Sequence, residues 1–192
     1  MSLIPSFEIG LWNAWWFMII YPLQWLLVVI IPKHIIAERM GDTQEIQTQR
    51  DKMIAFLTNG FWIGATLYSI FLPFQKGTPW FWIGLLLFAA GLIILVLTTF
   101  SIAITPKEKP FTSGIYRFSR HPGYLSMIFV YLGVSIASAS WLFFLITVIT
   151  FLLLLYQAKK EETYCCLKFG NPYREYMLRT ARWIGISRVA IN

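Results

Sequence analysis

Four uncharged runs constrain this 192-residue chain more than any other feature. Residues 9–32, 53–75, 77–106 and 121–158 contain no Asp, Glu, Lys or Arg, over lengths of 24, 23, 30 and 38 residues. A bilayer core of about 30 Å takes about 20 apolar residues per helix. The first three runs each predict one transmembrane helix, near 11–31, 54–74 and 80–100. The fourth would make a single helix roughly 57 Å long at about 1.5 Å per residue. Two short spans near 124–137 and 141–158 fit better, with a turn at Ala137-Ser138-Ala139-Ser140 and some tilt or local bilayer thinning. The expected fold is an all-α integral membrane protein of five transmembrane helices. The last two form a tight helical hairpin, and a cytosolic helical tail follows.

The placement of charge agrees with that count. Only 13% of residues are charged and 57% are hydrophobic, against about 25% charged in soluble domains. An ordinary water-soluble globule and a disordered chain are both excluded. With five spans, Lys76 is the one basic residue on the side of the N-terminus, and the other 15 of 16 Lys and Arg fall on the opposite side. The positive-inside rule then puts the N-terminus outside and the tail in the cytosol. Trp12, Trp15, Trp16, Trp80, Trp82 and Trp141 would form an outer aromatic belt. Orientation thus accounts for the net charge of +7, and no nucleic acid is expected as a partner. The adjacent Cys165 and Cys166 offer neither a disulfide framework nor a metal-ligand spacing, so no metal is expected. Glu8 and the lack of basic residues in the first ten argue against a cleavable leader. Residues 42–53 read as a short polar helix before the second span. Gly60-Phe61-Trp62-Ile63-Gly64 reads as a close-packing face, within one chain or, less readily, between two copies.

Two polar segments carry the chemistry. One runs from Lys109 to Tyr124 and contains Arg120-His121-Pro122-Gly123-Tyr124. The other holds Glu161-Glu162, then Phe169-Gly170-Asn171-Pro172-Tyr173-Arg174-Glu175-Tyr176 and Arg179. A hairpin that goes out and returns must bring Arg120, His121, Tyr124, Glu161 and Glu162 to one membrane face. Pro122 suits a first helical position, and the free N–H groups of that helix start favour an anion. Singly, Arg120-His121 could anchor a helix at the headgroups and Glu161-Glu162 could be a solvated face. The last span should continue to Phe169, with Gly170 as its stop, Asn171 as the next N-cap and Pro172 at N1. A short helix over 172–182 would follow, with Tyr173, Tyr176 and Met177 on one face, as an interfacial helix or a lid.

The runs Thr112-Ser113-Gly114-Ile115-Tyr116-Arg117-Phe118-Ser119-Arg120-His121-Pro122-Gly123-Tyr124 and Glu161-Glu162…Phe169-Gly170-Asn171-Pro172-Tyr173-Arg174-Glu175-Tyr176 resemble signatures of the isoprenylcysteine carboxyl methyltransferase family. The resemblance covers roughly residues 101–183, and related membrane phospholipid methyltransferases share much of it. It implies three N-terminal spans over 1–100, with a cytosolic loop at 33–53, and a catalytic region over 101–192. It implies S-adenosylmethionine as cofactor, leaving as S-adenosylhomocysteine, in a pocket formed by Glu108, Lys109, Pro110, Phe111, Tyr116, His121, Pro122, Gly123, Tyr124 and Glu161. Arg179 matches a family arginine needed for activity, and would orient the acceptor carboxylate. Gln157 stands where the eukaryotic enzymes place a substrate-contacting arginine, and Thr180-Ala181 replaces their Val-Pro.

Transfer of a methyl group to a carboxylate needs alignment and exclusion of water. It needs no strong base, because a carboxylate is ionised at neutral pH. A lipid-attached substrate would enter a monomeric enzyme sideways from the surrounding membrane lipids. A phospholipid amine as acceptor is the main alternative. A membrane reductase would need a nicotinamide cofactor, for which there is no GxGxxG. A non-enzymatic bundle or transporter would need charged groups within the spans, and these are lacking.

Overall fold

The computed structural model describes residues 8–23, 48–106 and 109–185. Six α-helices and one 3₁₀ turn are named here, and no strand forms among the described residues. They are α1 (Trp15–Met18), α2 (Gln49–Ser69), α3 (Pro79–Ile104), the 3₁₀ turn Gly114–Arg117, α4 (Pro122–Ala137), α5 (Trp141–Phe169) and α6 (Asn171–Arg179). Of the first expected span, 11–31, residues 11–23 are described and show α1 and helical residues 20–23, and 24–31 lie outside the described residues.

Local chemistry sets the boundaries. Thr48 and Asp51 make a reciprocal capping box, so the polar turn at 49–53 belongs to α2 itself. Pro79 opens α3 at its first turn, and Thr105 is extended before Pro106, as a residue preceding proline should be. Pro122 opens α4. Between α4 and α5, Ala139 takes a left-handed φ of 51°, and the Ser140 hydroxyl caps α5 by accepting from the Phe143 N–H at 3.2 Å. Gly170, at φ +64°, ends α5.

α3 and α5 are long and apolar enough to cross a bilayer. Their apolar side chains mostly face outward: Leu86, Ile93, Val96, Phe100 and Leu152 are all exposed. A soluble core helix would bury them. α4 is apolar but only 16 residues long. α2 does not reach the apolarity of a span: its first turns are charged, and Thr58, Asn59, Gly60, Gly64 and Thr66 dilute the rest.

The tightest packing is between α3 and α4. A Cβ added at Gly84 would lie 2.5 Å from the Ala137 backbone nitrogen, and one at Gly133 would lie 2.8 Å from the Gly84 carbonyl. Small residues let two backbones approach where lipid supplies no hydrophobic drive between helices. The sequence placed close packing at Gly60 and Gly64 instead. No described residue lies within 4 Å of a Cβ at either. Tyr131, Phe143, Val134 and Met18 fill the core, and Phe17 stacks on Phe88 at 4.0 Å.

The ends of the bundle are distinct. At one, the Ala14 N–H donates to Leu72 O at 2.8 Å and the Gln75 N–H to Ala137 O at 2.9 Å. At the other, Asp51 accepts from Tyr156 at 2.7 Å and pairs with Lys160 at 3.3 Å, tying α2 to α5. α5 spans 29 residues, about 43 Å at 1.5 Å per residue. That exceeds a hydrocarbon core of about 30 Å, so its last turns, with Glu161 and Glu162, extend past the apolar section.

Candidate functional site

Those last turns of α5 meet the start of α4. His121, the residue before Pro122, is buried. Its Nδ1 lies 3.4 Å from Glu161 Oε2, and its Nε2 lies 3.2 Å from Glu162 Oε1. A neutral imidazole has one N–H, whereas an imidazole with a carboxylate on each nitrogen needs two. Burial opposes the charged ring, but the hydrogen bonds and charges of both glutamates outweigh it and raise its pKa above 6.5. The His121 ring also stacks on Tyr124, centroids 5.4 Å apart and 7° from parallel, and the Tyr124 hydroxyl donates to Glu161.

The two glutamates differ. The Glu161 side chain is about half exposed. Glu162 is only 3% exposed and surrounded by cations. Arg182 grips it bidentately, Nε to Oε1 at 2.9 Å and Nη2 to Oε2 at 2.6 Å. Arg120 Nε stands 3.3 Å from Oε1, off the hydrogen-bonding angle, so this buried N–H makes no hydrogen bond among the described residues. Burial would raise the Glu162 carboxyl, but the bonds from His121 and Arg182 and the Arg120 charge overcome it and lower its pKa to about 2. With His121 protonated, the cluster holds three cations and two anions.

Arg182 is the residue that sequence reasoning missed. The helix expected over 172–182 ends at Arg179, and Thr180 is extended. The chain then crosses the α4 entry: the Arg120 N–H donates to Ala181 O at 3.0 Å, and the Ser119 hydroxyl to Arg182 O at 3.2 Å. Trp183 closes the edge, with ring centroids 6.2 Å from His121 and 5.3 Å from Phe151. A helix period through 182 hides this strap, and no motif flags it. Asn171 is likewise not the cap of α6: Gly170 holds that place, and Asn171 Oδ1 accepts from Arg174 at 3.5 Å.

A tyrosine layer lies beside the cluster. Tyr116, Tyr173 and Tyr176 are buried together with Phe111, Cys165 and Met177 around them. The Tyr176 hydroxyl donates to Tyr116 O at 2.6 Å, and Phe111 stacks on Tyr116 at 5.5 Å. Burial first, then the Glu161 charge, raises the Tyr116 hydroxyl and pushes the Cys165 thiol up to about 11.

Among the residues expected to hold a cofactor, His121, Tyr124 and Glu161 meet directly. Phe111 and Tyr116 line the adjoining layer, Pro122 is buried at the α4 start, and a Cβ on Gly123 would face Thr98 at 3.8 Å. Pro110 is half-buried and Lys109 exposed, and Glu108 lies outside the described residues. The two residues expected to meet substrate take no part in the cluster. The Gln157 amide donates to Thr58 on α2 at 3.0 Å. Arg179 is exposed, 3.8 Å from Glu175, and lines a separate cleft with Thr112 and Arg117.

Comparison with known proteins bears on this end of the molecule. Residues 79–171 match the phospholipid methyltransferase family. The phospholipid methyltransferase match runs from the first residue of α3 to the first of α6, and so takes in His121, Glu161 and Glu162 but not Arg179 or Arg182. No curated protein and no solved structure matches the chain.

Proposed function

We propose that this protein is a membrane methyltransferase that uses S-adenosylmethionine to methylate the carboxylate of a lipidated, prenylcysteine-like acceptor. The observation that carries the reading is the junction of His121, Tyr124 and Glu161 inside the segment that matches phospholipid methyltransferases. The donor set suits the cofactor. Glu161 is a half-exposed carboxylate able to accept from ribose hydroxyls or an ammonium. The Tyr124 ring, on its face away from His121, offers a π surface to a sulfonium. The buried, unbonded Arg120 Nε and the surplus positive charge suit a carboxylate. When bound, S-adenosylmethionine supplies an activated methyl group on sulfur.

The chain's own residues then have distinct tasks. Glu162 keeps His121 charged and fixed, which leaves Glu161 positioned by His121 and Tyr124. The strap 180–183 closes over the α4 entry and limits water there. The outward apolar faces of α3 and α5 admit an acceptor from the bilayer. A carboxylate acceptor requires no proton removal, in keeping with a His121 already held as the cation. The match to phospholipid methyltransferases favours a second reading, N-methylation of a phospholipid amine. Purified protein with labelled methyl donor should form a base-labile ester on a farnesylated cysteine analogue. Base-stable label on phosphatidylethanolamine, with no ester formed, would replace the first reading by the second.

A further inference from the structure

We propose a second binding site, independent of methyl transfer: the cleft between the 112–117 loop and α6 holds the phosphate of a bilayer phospholipid through Arg117 and Arg179. The cleft has a volume of about 420 Å³, and its walls carry Thr112, Arg117, Glu175, Tyr176, Arg179 and Thr180. That size is in the range of small-ligand sites, about 300–1,000 Å³. Its floor is fixed, because Tyr176 is buried and bonded to Tyr116 O at 2.6 Å. Arg117 makes no ion pair among the described residues, and Arg179 has only the 3.8 Å contact with Glu175, both side chains about two-thirds exposed. Exposed pairs of that kind hold little. Two guanidinium groups and one carboxylate leave the cleft one positive charge. Each planar fork matches phosphate oxygens, and a phosphodiester has two unesterified oxygens to share between them.

The neighbours of the arginines point to a lipid as the source. Phe118, directly after Arg117, is 65% exposed, and Leu178, directly before Arg179, is 55% exposed. The 3₁₀ turn that carries Arg117 packs on α3, whose last turns expose Phe100 and Ile104. The cleft therefore opens where an apolar helix ends, with a cation on each wall and, next to each cation in the chain, an exposed apolar side chain outside the lining. A soluble phosphate ester would leave those apolar groups in water, whereas a phospholipid covers them with its glycerol and acyl portions. Arg179 thereby holds a lipid phosphate, in place of the acceptor carboxylate expected from the sequence.

The test uses the full chain in detergent, without methyl donor, and reads binding of short-chain phosphatidylglycerol by ³¹P line broadening. R117Q/R179Q should weaken binding at least tenfold, since each charge-assisted hydrogen bond lost costs about that factor. R117K/R179K should restore part of it. R174Q removes the same charge from α6 outside the cleft and should change binding less than twofold. E175Q should tighten it. Unfolding midpoints equal to wild type confirm that the tail is intact. Wild-type affinity in R117Q/R179Q, or an equal loss in R174Q, overturns the site. Inorganic phosphate binding as tightly as the lipid overturns the assignment to a phospholipid.

Discussion

Replacing Glu162 with glutamine keeps the shape of the side chain and removes its charge. In the fold this carboxylate is 3% exposed and faces Arg182 at 2.6 and 2.9 Å, His121 at 3.2 Å and Arg120 at 3.3 Å. Removing one partner of a buried ion pair costs about 3–5 kcal/mol. The Arg182 side chain is 29% exposed, so water absorbs part of that loss. The carboxyl's own titration gives a second measure. At about 1.36 kcal/mol per pH unit, the drop from 4.5 to about 2 amounts to about 3 kcal/mol. Glu162→Gln should therefore destabilise the protein by about 2–3 kcal/mol near pH 6.

The pH dependence makes this test specific. The folded Glu162 pKa is depressed, so its stabilisation is complete above about pH 4.5 and disappears as pH falls through about 2. His121 has the opposite sign. Its pKa is raised, so its contribution is complete below about 6.5 and is lost as pH rises through the folded value. The gap between wild type and Glu162→Gln should be widest between about pH 5 and 6.5 and should narrow on both sides. Reversible unfolding in mixed detergent–SDS micelles, followed by tryptophan fluorescence from pH 3 to 9, measures it. A gap of equal size at pH 3 and pH 6, or none at pH 6, would refute the reasoning.

What the sequence could and could not reveal follows from the kind of signal each feature leaves. The uncharged runs report where apolar helices lie, so α3, α4 and α5 were legible, as was the continuation of α5 to the Gly170 stop. A run without charge does not report how a helix packs. Gly60 and Gly64 have a familiar spacing and meet no described residue, while Gly84, Gly91 and Gly133, seven and more residues apart, make the close contacts. The meeting of His121 with Glu161 and Glu162 was legible because a chain that turns at 138–140 returns to its starting level. The separate fates of the two glutamates were not. They are neighbours on one helix about 100° apart, and only the strap from 180 to 183 buries one and leaves the other reachable. The strap escapes a helical period because it begins where Thr180 becomes extended.

Three further outcomes test the fold and the site. Gly84→Leu should cost about 1–3 kcal/mol, as overpacking against a backbone does, whereas Gly60→Ala should leave the SDS-unfolding midpoint within error of wild type. Calorimetry should find that His121→Ala and Glu161→Gln each weaken S-adenosylmethionine binding about 10- to 150-fold, the loss of one charge-assisted hydrogen bond. Unchanged affinity in both would remove them from the pocket. The last outcome concerns Cys165, best read in a Cys166→Ser background so that one thiol reports. Burial, reinforced by the Glu161 charge, pushes this thiol from 9.0 to about 11. At pH 8 its thiolate population is then about a hundredfold below that of an ordinary thiol of pKa 9. A thiolate of higher pKa is more nucleophilic, by about eightfold for a difference of two pH units. The net expectation is alkylation about tenfold slower than for an unfolded-peptide control. Glu161→Gln removes the nearby charge without opening the layer of Tyr116, Tyr173 and Phe169 around the thiol, so it should lower the pKa and speed the reaction. An alkylation rate in folded Cys166→Ser protein equal to the peptide control would show that Cys165 is not enclosed by that layer. A rate unaffected by Glu161→Gln would separate the Glu161 charge from the tyrosine layer, and with it the link between the ionic cluster and the Tyr116 side of the proposed cofactor pocket.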